Sequence, residues 1–125
     1  MFGLFKKKQS KKEITFNYES LAVDMHSHVL PGIDDGAKTP EESVILIKNM
    51  MEVGIKKIIA TPHIMADYYR NDATSINNAL TLLKDELRRQ QIDIQIEAAA
   101  EHYYDETFEA RIDNDELMVL SLIHI

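Results

Sequence analysis

Residues 39–63 read TPEESVILIKNMMEVGIKKIIATPH, and this stretch decides the fold. Residues 39–54 have the pattern of an amphipathic helix. Thr39 and Glu42 stand at capping-box spacing, Pro40 suits the first helical position, and Gly54 supplies the stop. Val44, Ile47 and Met51 line one face, with Leu46 and Met50 beside them. KKIIATPH (56–63) then reads as a strand that ends at Thr61-Pro62, because proline lacks the amide that a ladder needs. A capped helix that feeds directly into an apolar strand is half of a βαβ unit.

The flanking sequence repeats that logic. SLAVDMH (20–26) is a short apolar run ending in polar residues, read as a first strand. Residues 73–91 form a second helix, with Ile76, Leu80, Leu83 and Leu87 at i, i+4, i+7 and i+11. IDIQIEAAAE (92–101) gives a third strand, a short helix falls near 105–112, and ELMVLSLIHI (116–125) gives a fourth apolar strand. The order β-α-β-α-β-α-β predicts an α/β fold with a parallel sheet and right-handed crossovers. Four such strands cannot close a barrel, which takes about seven or eight. The expectation is therefore a small open domain or, preferably, a truncated part of a larger one.

Composition narrows the chemistry. The chain has 125 residues and no cysteine, which excludes disulfides, thiolate metal sites and cysteine nucleophiles. Net charge is −7, and the first twelve residues hold five lysines and no acid. The remainder carries 9 basic against 21 acidic groups, a surface unsuited to nucleic acid and suited to holding cations. The lysine-rich start lacks the order and length of a signal peptide and reads as a solvated arm. No run approaches the roughly 18 apolar residues of a membrane span, so a cytoplasmic location is expected.

The ligand-type residues fall at matching places. His26 and His28 follow the first strand, His63 follows the second, and Glu101 and His102 follow the third. These carboxyl ends point to one edge of a parallel sheet, where active sites of such proteins assemble. In His26-Ser27-His28 the i, i+2 spacing turns both imidazoles to one face of an extended segment. Histidine with carboxylate and no thiolate suits zinc, manganese or iron in a catalytic role. Asp34 and Asp35, in the turn-forming PGIDDGAK, have two readings: acids favourable before a helix, or one of them a further ligand. His102, next to Glu101, points the other way and reads as structural or as support to the ligands, and His124 reads as packed.

DMHSHVLPGIDDGAKTPEES, IIATPH and AAAEHYY together resemble the manganese-dependent protein-tyrosine phosphatases of the PHP (polymerase and histidinol phosphatase) superfamily, capsular and exopolysaccharide type. The resemblance spans about residues 21–104. It implies a distorted (βα)7 barrel, here incomplete, with a centre of two or three Mn2+ ions. It casts His26, His28, Asp35, His63 and Glu101 as metal ligands, and implies hydrolysis of phosphotyrosine on a membrane-associated tyrosine kinase of polysaccharide export. The family continues with a carboxylate on the fourth strand and later ligands. Here Ser121 stands near that place, so residues 20–125 are expected to be the N-terminal part of such a domain, its activity impaired, behind a basic arm at 1–19. Arg70 has two readings, a phosphate contact or an exposed loop arginine, and Tyr68, Tyr69, Tyr103 and Tyr104 either line a pocket or wedge helix against sheet. The alternatives in function are a small-molecule phosphomonoesterase with the same metal site, and a non-catalytic fragment.

Overall fold

The structure is a computed structural model that describes residues 20–120. Along the chain come β1 (Val23–Asp24), α1 (Pro40–Glu52), β2 (Lys57–Ala60), β3 (His63–Ile64), α2 (Ala73–Arg89), β4 (Gln95–Ala98), β5 (Glu101–His102) and α3 (Phe108–Asp113). The strands form two parallel sheets, one in the order β1-β2-β4 and the other pairing β3 with β5.

Local chemistry accounts for the helix ends. Thr39 Oγ1 accepts the Glu42 amide at 3.2 Å and Pro40 opens α1. The Glu42 carboxylate returns one residue further than a capping box requires, accepting from the Lys38 amide at 2.8 Å. Gly54 stops the helix at φ 105°, a backbone region favourable only to glycine. The amides of Gly54 and Ile55 donate back to Met51 and Met50. At α2, Asp72 and Ser75 complete a reciprocal capping box.

The strands are shorter than the apolar runs suggest, for identifiable reasons. Ala22 sits at φ 56° and its carbonyl accepts from both Lys56 and Lys57, so ladder pairing begins only at Val23. Ile92 donates its amide to Leu87 to close α2, which delays the third strand to Gln95. Pro62 interrupts its strand without ending it. Its carbonyl accepts from Glu101 at 2.9 Å, and parallel pairing resumes at His63 and Glu101. Of the expected fourth strand, residues 116–120 take no strand pairing. They run beside β5 through bonds from Ala100 N–H to Met118 O and from Met118 N–H to His102 Nε2. Its remaining residues, Ser121 and His124 included, lie outside the described ones, as do residues 1–19 of the basic arm.

The core sits between helices and sheet. Val44 and Ile47 of α1, Ile76 and Leu83 of α2, Ile58 of β2 and Leu30 of the first loop are essentially without solvent contact. Met50 and Met51 pack at its margin, whereas Leu46, expected beside them, is exposed. Burying a side chain of this size is worth about 1.5–3 kcal/mol, so this layer fixes the strand ends in space. No helix among the described residues is long and apolar enough to cross a membrane.

Candidate metal centre

The parallel register places His63 directly beside Glu101, while the loop leaving β1 carries His26 and His28 to the same edge. Glu101 Oε2 lies 3.4 Å from His26 Nε2, 3.4 Å from His28 Nε2 and 3.3 Å from His63 Nδ1. This oxygen is buried and has no hydrogen-bond partner. The separations exceed the roughly 2.7–3.2 Å of an N–H···O bond, so the four atoms converge without satisfying one another. Two donors each about 2.1 Å from a common ion stand about 3.0–3.4 Å apart at octahedral to tetrahedral angles. The observed spacing fits that arrangement.

A second group overlaps the first. Asp35 Oδ1 lies 3.3 Å from His63 Nε2, and His28, Asp35 and His63 can bring one ligand atom each within 4.8 Å of one another, as can His26, His28 and Glu101. The His28 and His63 rings are 4.5 Å apart between centroids. The side chains of His26 and Asp35 are more than half exposed, whereas those of His28 and His63 are 23% exposed. The cluster therefore has a protein-held inner side and an open outer side.

The adjacent acid plays a different part. The side chain of Asp34 is fully buried. Its Oδ2 accepts from the His63 amide at 3.1 Å and lies 2.8 Å from His28 Nδ1, while Oδ1 accepts from the Gly36 amide at 2.9 Å. Burial alone raises its carboxyl, but the hydrogen bonds from His28, Gly36 and His63 outweigh that and hold it below the usual carboxylate range. Asn71 supplies a further clamp that the sequence reading missed: its Nδ2 donates to both Ile33 O (2.8 Å) and His63 O (2.9 Å). An asparagine followed by Asp72, a helix cap, reads as turn chemistry, and nothing local marks its long-range bonds.

The remaining candidates separate. His102 turns away from the cluster and accepts the Met118 amide at Nε2, and desolvation, then Arg111, lower its pKa. Tyr69 stacks on His63 with ring centroids 5.5 Å apart, while Tyr68, Tyr103 and Tyr104 are exposed rather than wedged. Arg70 donates from Nε to Ala66 O and lines a cleft with Asp67, Thr107 and Arg111, a cleft to which the histidine cluster does not contribute.

Fold and site together define a parallel α/β protein with a histidine–carboxylate cluster at its strand ends. Residues 22–123 match the family described as capsular polysaccharide synthesis, CpsB/CapC, and the chain belongs to that family. It is 32% identical over 74 residues to tyrosine-protein phosphatase YwqE of Bacillus subtilis (strain 168), covering 59% of this chain and 29% of that protein. It is also 32% identical over 82 residues to tyrosine-protein phosphatase CpsB of Streptococcus agalactiae, covering 66% and 34%. A structure from the study of YwqE from Bacillus subtilis and CpsB from Streptococcus pneumoniae, described as unique metal-dependent tyrosine phosphatases, superimposes with a TM-score of 0.71. That match has 28% identity and covers 78% of this chain and 40% of the other. The chain thus spans about a third of the length of these relatives.

Proposed function

We propose that the chain carries the first part of a metal-dependent protein-tyrosine phosphatase, with His26, His28, Asp35, His63 and Glu101 as metal ligands. The observation that carries this reading is the buried, unpartnered Glu101 Oε2 facing three imidazole nitrogens at 3.3–3.4 Å. A buried carboxylate oxygen left without a donor costs free energy unless a cation or proton answers it. Similarity to metal-dependent tyrosine phosphatases supports the cation.

The two groups share His28, which has one nitrogen to offer, so the five residues are divided between two or three Mn2+ ions whose coordination is completed by ligands elsewhere in the full domain. Divalent metal, when bound, supplies charge neutralisation for the phosphate and a more acidic water for its hydrolysis. The protein's own part is positional. Glu101 stands between the histidine groups, and the strand ends hold His63 and Glu101 in register. The open outer side, edged by His26 and Asp35, leaves room for a phosphate. Strands β1, β2 with β3, and β4 with β5 are the opening strands of a (βα)7 barrel, and residues 20–125 form the N-terminal part of that domain. By the resemblance, the substrate is phosphotyrosine on a cytoplasmic face of a membrane-associated kinase of polysaccharide export, with the basic residues 1–19 as a separate arm.

The test is hydrolysis of a phosphotyrosine peptide and of a small alkyl phosphomonoester by the chain extended to the length of its relatives, with Mn2+ added. Manganese-dependent activity that favours the peptide is expected. Activity confined to the alkyl ester, or unaffected by removal of metal, would sink the reading.

A further inference from the structure

The turn that Asp34 forms needs only one of its carboxylate oxygens. Oδ1 accepts the Gly36 amide, a local Asx turn two residues long. Oδ2 is spent on residues 6 and 29 positions away, lying 2.8 Å from His28 Nδ1 and accepting the His63 amide at 3.1 Å. The backbone of Asp34 is itself held, with its carbonyl accepting Lys38 Nζ at 2.8 Å. A carboxylate receiving two backbone amides acts as an acceptor, so the ring nitrogen facing it must donate. His28 is then protonated at Nδ1, and the lone pair of Nε2 faces Glu101 Oε2 across 3.4 Å.

We propose that Asp34 is a positioning residue: it selects the Nδ1–H tautomer of His28 and ties the His63 backbone to the same oxygen. Two ligand-bearing segments from different strand ends are thereby set against Glu101 by one buried side chain. This rests on the metal reading above. Carboxylates that orient a ligating histidine typically change metal affinity about 10–100-fold when altered. Asp35, one residue on and exposed, faces His63 Nε2 instead, so neighbouring acids serve different purposes.

The experiment has two arms. In the metal-free 125-residue chain, at a pH where imidazoles are neutral, long-range ¹⁵N–¹H correlation reads which nitrogen of His28 carries the proton. Nδ1–H is expected, and Nε2–H overturns the proposal. In Asp34→Ala, which has no side-chain acceptor to offer, calorimetric titration with Mn2+ should show affinity about 10–100-fold lower, together with loss of the Nδ1–H preference. Affinity and tautomer both unchanged overturn it, as does weaker binding with the tautomer unchanged, which packing loss alone would produce. If circular dichroism shows the variant unfolded, the wild-type tautomer decides. Wild-type chain that binds no Mn2+ sinks the metal reading, while the tautomer still judges Asp34.

Discussion

Gly36 lies so close beneath His28 that a Cβ at position 36 would fall 2.0 Å from the His28 carbonyl oxygen. No flexible atom is available to yield, since the nearest atoms are His28 backbone and Cβ. Gly36→Ala should therefore push the histidine loop away, with an overpacking cost of about 1–3 kcal/mol. The check is thermal unfolding together with Mn2+ titration, and both Tm and affinity should fall.

Asn71 joins the turn to β3 by donating to Ile33 O and His63 O. Asn71→Ala leaves two carbonyls without these donors and should cost about 1–3 kcal/mol. Amide exchange at His63 and Gly36 should quicken relative to that at Ile76 in α2, because the loosening is local.

Leu83 is without solvent exposure in the layer between α2 and the sheet. Leu83→Ala should cost about 2–5 kcal/mol of unfolding free energy. A urea midpoint shift with an unchanged slope would confirm a packing loss.

Asp105 ties the segment after β3 to the start of α3. Hydrogen bonds from the Thr107 hydroxyl and the Ala66 amide bring its carboxyl down to about 2. A depressed carboxyl contributes stability that is present above its unfolded value near 3.8 and lost as pH falls through about 2. NMR titration of the Asp105 carboxyl should give a midpoint near 2, and Asp105→Asn should flatten stability across that acid window.

Helix ends and the gathering of His26, His28, His63 and Glu101 at one sheet edge were legible because both depend on short-range rules. Thr39, Pro40 and Gly54 act on their immediate neighbours, and His26, His28, His63 and Glu101 each follow an apolar run read as a strand, although the run before His26 is largely exposed. Interruption at Pro62 was not legible, because it depends on Glu101 donating to a carbonyl from another strand. The division of work between Asp34 and Asp35 was hidden for the same reason: one of them bonds residues 6 and 29 positions away. Leu46 was misplaced because apolar residues flanking the buried stripe of α1 turn to solvent, and one helix period does not distinguish them.

The most direct test of the central claim is calorimetric titration of the metal-free 125-residue chain with Mn2+, beside Glu101→Gln. The variant keeps the size of the side chain and removes the charge of the oxygen that faces His26, His28 and His63. Saturable binding by the wild-type chain, weakened about tenfold or more in the variant, is the predicted result. No binding by the wild-type chain, or equal binding by both, would contradict the account.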